Sequence, residues 1–541
     1  MTTLGEALVK YLEAYGIDTV FGIPGVHTVE MYRGLATSTI RHVTPRHEQG
    51  AGFMADGYYR ATGRIAAAFV ITGPGVTNIL TPMAQAYADS IPMLVVSSVN
   101  RTQNLGMGGD LHEIRNQGLI AAQAAAFSHT ITHPDQLPEV LARAWAVFDG
   151  ARPRPVHIEV PLDLFSVESE LKEPWSGRVQ LERPEASASM VQRSAEILSR
   201  ATRPIILAGG GAVGSKSIPA LARALDAPVV MTTNGRGTLP AGDPLAVPAS
   251  PSLDAIRDGI DETDCILALG TEFGRTDYDM YDRAPFRPKG TLIRVDIEAT
   301  QVIGNRGQEL TLVSDVEAAA KGLLAAGAKA GSLAQPGADY AERLRTAALE
   351  EVGAKYRTII GFLETVLDTL PDAPIVCDST QAAYAGNLFY AAPAPRRWFN
   401  ASTGYGALGY GLPAAIGAAR GLAAPVVCIC GDGGLQFSLA ELGCAIEEDL
   451  PVILLVWNNQ GYGEIKDYMI SRQISPVGVD LHTPDFVGLG RAYGCEAQAL
   501  ERLEDLPDLL RAAAQRKGPT LFEIDERIVL GPAGPGASRT P

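Results

Sequence analysis

The sequence predicts an α/β chain built from three doubly wound parallel sheets. Three observations predict it. The chain has 541 residues, too many for one ordinary core, and ~150–200 residues per domain gives about three domains. Strand-length apolar runs end repeatedly on Gly/Pro turns and lead into amphipathic stretches, the pattern of strand–turn–helix units feeding a parallel sheet. Composition also shifts twice, at Glu168–Ser189 and at Ala325–Gly337, and both stretches read as linkers. The domains expected are residues 1–165, 190–325 and 350–530.

In the first block Leu4–Tyr15 has helical spacing. Thr19–Phe21 is a short strand ending at Gly22-Ile23-Pro24-Gly25, and Ala66–Ile71 is a buried strand ending at Thr72-Gly73-Pro74-Gly75. Met93–Ser97 and Val156–Val160 are two more. The second block opens with strand Pro204–Ala208 and the turn Gly209-Gly210-Gly211, then strands Pro228–Met231, Cys265–Leu269 and Leu292–Asp296. The third starts near Tyr356 and contains strands Ile375–Cys377, Val426–Cys430 and Val452–Trp457. The first and third blocks share one layout. Gly531–Pro541 is rich in Gly, Pro and Ser and reads as a mobile tail.

Composition excludes some functions. The formal charge of −16 argues against nucleic acid or an anionic membrane surface, because both select basic patches. The longest apolar runs, Pro425–Cys430 and Pro451–Trp457, fall far short of the ~20 residues of a membrane span. Met1–Lys10 carries Glu6 and no apolar segment, so no leader is expected. The cysteines are scattered, and Cys428 and Cys430 share a strand face. Buried free thiols are the reading, and a cytoplasmic protein follows.

The third block carries the chemistry. Strand Val426–Cys430 runs into Gly431-Asp432-Gly433-Gly434 and then an expected helix, Leu435–Glu448. Strand Val452–Trp457 follows and ends in Asn458-Asn459. Parallel neighbours would present Asp432 and Asn459 side by side at the carboxyl edge, where ligands of α/β sheets sit. A carboxylate and an amide carbonyl are hard oxygen donors suited to Mg²⁺ or Ca²⁺. The glycines let backbone N–H groups approach a diphosphate at the next helix start.

Together these features resemble the signature of the thiamine-diphosphate enzymes. Other stretches extend the resemblance over essentially the whole chain. Arg46-His47-Glu48-Gln49-Gly50-Ala51, with Gly73-Pro74-Gly75, Asn78 and Ala88-Asp89-Ser90-Ile91-Pro92, is similar to the glutamate-bearing region of acetolactate-synthase-type enzymes. Asp378-Ser379-Thr380-Gln381 and Ser402–Pro413 match the third domain. The resemblance implies a pyrimidine-binding, a middle and a diphosphate-binding domain. It implies thiamine diphosphate held by Pro24, Glu48, Ser379, Thr380, Gln381, Gly404, Gly406, Leu408, Asp432, Gly433, Gly434, Asn459, Gly461 and Tyr462. Mg²⁺ would be bound by Asp432, Asn459 and the Gly461 carbonyl. Glu48 would bond the aminopyrimidine and promote activation of the thiazolium. Leu408, where methionine is usual in acetolactate synthases, would wedge the cofactor into its bent shape. It further implies a homodimer or homotetramer, Glu48 of one subunit meeting the diphosphate site of another.

Some stretches carry narrower information. Phe21–Thr28, Ser97–Asn100, Leu111–Glu113, Arg396–Trp398 and Arg491–Cys495 resemble the 5-guanidino-2-oxopentanoate (2-ketoarginine) decarboxylase subfamily. The expected reaction is decarboxylation of that small 2-oxo acid to 4-guanidinobutanal, the alternative being an acetolactate-synthase-like carboligase acting on pyruvate. Against the alternative, the glutamine of those synthases is replaced near Val99, and Asn234–Pro251 lacks their flavin-contacting Gly-Met-His-Gly run. Gly209-Gly210-Gly211 is therefore weak evidence for FAD, and a structural turn is the favoured reading, with FAD as the alternative. A cationic tail wants a carboxylate. Asp110, Glu113 and Glu464 are candidates, Asp467 lies nearby, and His112 sits in the same Gly-rich loop as the first two.

Overall fold

A computed structural model describes residues 2–171, 175, 177–280, 284–302 and 307–531. The C-terminal segment read as a mobile tail lies outside the described residues, save Gly531.

Three six-stranded sheets form the framework, and every pairing within them is parallel. In chain order the first sheet contains Thr19–Gly22, Arg41–Val43, Ala67–Val70, Leu94–Val99, Phe127–Thr130 and Val156–Pro161. The third contains Ile375–Cys377, Trp398–Asn400, Val426–Gly431, Val452–Asn458, Glu496–Ala499 and Thr520–Asp525. Both run second–first–third–fourth–sixth–fifth across the sheet, so the shared layout is a shared topology. The middle sheet contains Pro204–Ala208, Val229–Met231, Ala246–Val247, Cys265–Leu269, Thr291–Asp296 and Gln308–Val313. Its order is third–second–first–fourth–fifth–sixth.

Central strands such as Ala67–Val70, Pro204–Ala208 and Cys265–Leu269 are apolar along their length because both faces are covered. In the third sheet Val426, Cys428 and Cys430 point into a core shared with the N-terminal sheet. Val427 and Ile429 point into one shared with the middle domain. The C-terminal sheet thus lies between the other two domains. On its N-terminal side, helix Glu48–Thr62 packs along helix Gly411–Leu422.

All six cysteines are free and buried. Cys428 and Cys430 hold their sulfurs 3.5 Å apart on one strand face. Among the described residues no helix is long and apolar enough to cross a membrane.

The expected helix Leu435–Glu448 is a correction. The chain forms a short turn of helix, Asp432–Leu435, breaks, and resumes at Leu442–Glu447 after a 3₁₀ turn at Leu439–Glu441. The break turns Glu441 inward. It is 1% exposed, and its carboxylate accepts the backbone N–H groups of Arg46 and His47 at the start of helix Glu48–Thr62. That contact also explains Gly50, where a Cβ would fall 2.2 Å from Glu441 Oε1.

Candidate active site

In the third sheet, Ile375–Cys377 has the second strand on one side and Val426–Gly431 on the other. The direction of winding reverses between those two neighbours, and ligands of open α/β sheets bind outside the carboxyl ends of strands at such a point. A cavity of about 300 Å³ opens there. The first strand contributes Ser379, Thr380 and Gln381 to it. The loop ahead of helix Gly411–Leu422 contributes Gly406 and Leu408. The two strands that follow contribute Asp432, Gly433, Gly434, Asn459, Gly461, Tyr462 and Glu464.

Close backbone approach explains the glycines. A Cβ at Gly433 would lie 2.7 Å from the Tyr462 ring, and one at Gly434 would lie 3.0 Å from Asp378 Oδ1. Asp378 organises the cavity from beneath: fully buried, it accepts Ser379 N–H at 2.8 Å and Gly411 N–H at 2.9 Å. Burial pushes its carboxyl up to about 6, against the pull of those N–H donors. Gln381 is held between Lys355 and Glu526.

The metal reading can be tested on the Asn459 amide. One terminal atom of that amide lies 3.2 Å from Asp432 Oδ1 and 2.8 Å from the Gly461 carbonyl oxygen, and both neighbours are acceptors. With the amide nitrogen turned inward it donates to both. With the oxygen turned inward three acceptor oxygens would face one another, a set that a bound cation would bridge. The donor set therefore fits a divalent ion that completes its shell with phosphate oxygens and water. Burial raises the Asp432 carboxyl, and the N–H groups of Asn459, Gly433 and Gly461 oppose it. Among the described residues no cluster of three or more His, Cys, Asp or Glu side chains offers a rival metal site.

Glu48 does not line this cavity within its own chain. It is the first residue of helix Glu48–Thr62, half-buried at the carboxyl edge of the N-terminal sheet, and Asn78 Nδ2 donates to it at 2.9 Å. Pro24 leaves the first strand of the same sheet and is exposed. Gly404 packs on Asp89, where a Cβ would lie 2.6 Å from Oδ1.

The substrate candidates divide. Glu464 lines the cavity and accepts the Tyr356 hydroxyl at 3.1 Å. Asp110, His112 and Glu113 lie on the N-terminal domain. Glu113 accepts two N–H groups of its own loop, from Gly108 and Asp110, so it shapes that loop. Asp110 accepts Asn104 Nδ2 at 2.9 Å. His112 sits at φ +61° and meets His27 edge-on, ring centroids 5.2 Å apart. His27 is a residue that sequence reasoning passes over. Its Nδ1 is buried with no hydrogen-bond partner among the described residues, and burial, then His112, holds its imidazole below the usual range. Its position in the turn after the first strand was the available signal.

A second cavity, about 290 Å³, lies at the reversal point of the middle sheet and reaches Gly209, Gly210 and Gly211. Two of those glycines serve packing. A Cβ at Gly209 would meet Gly270 O at 2.4 Å, and one at Gly211 would meet Gly270 Cα at 2.9 Å.

A glycine-lined cavity at the carboxyl edge of one sheet, and a helix-start glutamate on a second sheet of identical topology, fit an enzyme of the thiamine type. The chain belongs to the thiamine pyrophosphate enzyme family. Residues 2–120 match the N-terminal TPP binding domain of thiamine pyrophosphate enzymes, 191–323 their central domain and 378–524 their C-terminal TPP binding domain. The chain is 44% identical over 533 residues to a probable 2-ketoarginine decarboxylase of Pseudomonas aeruginosa, covering 96% of this chain and 94% of that one. It is 30% identical to a probable acetolactate synthase large subunit of Methanocaldococcus jannaschii, covering 98% and 92%. It is 29% identical to the acetolactate synthase isozyme 3 large subunit of Escherichia coli, covering 95% and 93%.

Proposed function

We propose that this chain is a thiamine-diphosphate- and Mg²⁺-dependent decarboxylase that converts 5-guanidino-2-oxopentanoate into 4-guanidinobutanal and carbon dioxide. The observation that carries the cofactor reading is the placing of Asp432, Asn459 and Gly461, whose oxygens are donors suited to a divalent ion, around one cavity that Leu408 also lines. The substrate reading rests on the relative named a probable 2-ketoarginine decarboxylase, similar over 96% of this chain.

When bound, thiamine diphosphate supplies a carbon nucleophile and an electron sink for the carbon–carbon bond that breaks. The chain's own residues do the rest. Asp432, Asn459 and the Gly461 carbonyl would hold the metal, and Gly433 and Gly434 would bring backbone N–H groups to the diphosphate. Leu408 supplies bulk to the cavity wall. Glu48 would hydrogen-bond the aminopyrimidine, and its Asn78 partner orients the side chain. Glu464, which lines the cavity, would meet the guanidinium tail.

Glu48 acts on the cavity of a second copy, so the working unit is at least a homodimer with two shared sites. Two features support this. Glu48 stands away from the cavity of its own chain. Both half-sites are also flanked by exposed apolar side chains, Val26, Met107 and Leu111 on one and Tyr405, Phe437 and Ile465 on the other, which is how an unburied interface looks. The free thiols accord with a reducing, cytoplasmic setting.

The test supplies purified protein with Mg²⁺ and thiamine diphosphate and offers 5-guanidino-2-oxopentanoate or pyruvate. Carbon dioxide and a guanidino aldehyde are expected from the first. Acetolactate from pyruvate, with no carbon dioxide from the guanidino acid, would replace this reading with a carboligase.

A further inference from the structure

The stretch Ala88–Pro92 contains a carboxylate with no part in the site described so far. Asp89 is the hub of a buried polar cluster that joins all three domains. Helix Glu48–Thr62 contributes Asp56 and Arg60, helix Pro74–Asp89 contributes Gln85 and Asp89, and the middle domain contributes Asn234. The loop that carries Leu408 contributes Thr403, Ala407 and Tyr410.

The bonds form a connected set. Arg60 donates to Asp56 at 2.6 Å and to Asp89 at 2.7 Å. Asn234 Nδ2 donates to Asp89 at 3.2 Å. Gln85 Nε2 donates to Asp89 at 2.6 Å, which leaves its carbonyl oxygen free to accept Ala407 N–H at 3.3 Å. Thr403 Oγ1 donates to Asp89 at 3.0 Å, and Tyr410 donates to Asp56 at 2.6 Å. Asp56 and Tyr410 are fully buried and Arg60 is 6% exposed.

A buried ion cluster of this kind returns little net stability, because desolvation offsets the attraction between its charges. What it does supply is geometry. The loop between Thr403 and Tyr410 contains Gly404, Gly406 and Gly409, the last two at φ +77° and +81°, so its own backbone does little to fix its path. The cluster grips that loop at residues 403, 407 and 410. Leu408 lies inside the gripped span and lines the cavity.

We propose that Asp89 is a positioning residue for Leu408. It holds Thr403 directly and Ala407 through the amide of Gln85, and so sets where Leu408 stands in the cavity. Its effect is therefore confined to the thiamine end of the cofactor and leaves the diphosphate end untouched. The middle domain takes part through Asn234, which gives that domain a role in the site without a ligand of its own. This inference rests on the reading of Leu408 given above.

The experiment measures binding to the full-length apoprotein by calorimetry, with Mg²⁺ present and two probes, thiamine diphosphate and inorganic diphosphate. The variants are Asp89→Asn, Thr403→Val, Leu408→Ala and the double variant Asp89→Asn/Leu408→Ala. Thr403→Val is near-isosteric and removes one hydroxyl, so it reports on the clamp even if Asp89→Asn does not fold. Asp89→Asn and Thr403→Val are each expected to weaken thiamine diphosphate roughly tenfold while inorganic diphosphate stays within about twofold. The double variant should bind thiamine diphosphate no more weakly than Leu408→Ala alone, since both changes act through one group. Equal loss for both probes, no loss for either, or full additivity with Leu408→Ala would overturn the proposal. If Leu408→Ala itself leaves both affinities unchanged, the reading of Leu408 fails and the proposal fails with it.

Discussion

Gly57→Ala adds one methyl group where two helices cross with their backbones nearly touching. A Cβ at Gly57 would lie 2.0 Å from the carbonyl oxygen of Ala414 and 2.6 Å from its carbonyl carbon, whereas ordinary contact begins near 3.4 Å. The seam must therefore open by about 1.4 Å, the difference between those distances. The obstacle is main chain on the facing helix, so no side chain can swing aside. Gly417 faces the same seam, its Cβ position 1.9 Å from Met54 O. Overpacking of this kind costs ~1–3 kcal/mol, and this contact belongs at the upper end. The better helix propensity of alanine returns ~0.5–1 kcal/mol, leaving about 2 kcal/mol of destabilisation. At ~2–4 °C per kcal/mol for domains of this size, the melting temperature should fall by roughly 4–8 °C. Differential scanning fluorimetry of parent and variant measures it. Gly361→Ala is the control: it lies inside helix Gly353–Thr369 with nothing within 4 Å of the added Cβ, so it should stabilise by ~0.4–1 kcal/mol. A Gly57→Ala protein melting with or above the parent would refute the seam argument.

Glu441 makes stability depend on pH. Burial pushes its carboxyl from 4.5 up to about 7, so the folded state holds a proton that the unfolded state has released, and stability falls as pH rises through that window. Chemical denaturation at pH 5 and pH 8 should show Glu441→Gln gaining about 3 kcal/mol relative to the parent at the higher pH; a constant difference would remove Glu441 from the account. Asp432→Ala should weaken Mg²⁺-dependent binding of thiamine diphosphate at least about a hundredfold by calorimetry, and unchanged affinity would move the metal elsewhere. Glu48→Gln should keep cofactor affinity within a few-fold while turnover falls by ~10²–10⁴; unchanged turnover would release Glu48 from the mechanism.

What the sequence reveals follows from burial on both faces. Strands Pro204–Ala208, Cys265–Leu269 and Ile375–Cys377 have the bounds that their apolar runs predict. The strands that the sequence hides are almost all sheet edges. Arg41–Val43, Phe127–Thr130, Ala246–Val247, Gln308–Val313, Trp398–Asn400 and Glu496–Ala499 each close one side of a sheet, where one flank lacks a partner strand and the apolar run is short or interrupted. Thr520–Asp525 is central yet also hidden, because Glu523 breaks its run to accept Asn458 Nδ2 at 2.7 Å. The site divides in the same way. That Asp432, Asn459 and Leu408 would share one cavity is legible because short local motifs carry them. Asp89 and Glu441 act through contacts hundreds of residues away in sequence, on Thr403 and on Arg46. His27 gave only its place in a turn.

The central claim, a metal-anchored thiamine site completed by Glu48 of a second copy, is tested most directly by complementation. Glu48→Gln and Asp432→Ala chains carrying different affinity tags are co-expressed, and the mixed oligomer is purified through both tags. Each variant alone should be nearly inactive. In the mixed oligomer one site carries both changes and the other carries neither, so activity should return to roughly a quarter to a half of the parent's. A mixed oligomer no more active than either variant alone would contradict the shared site.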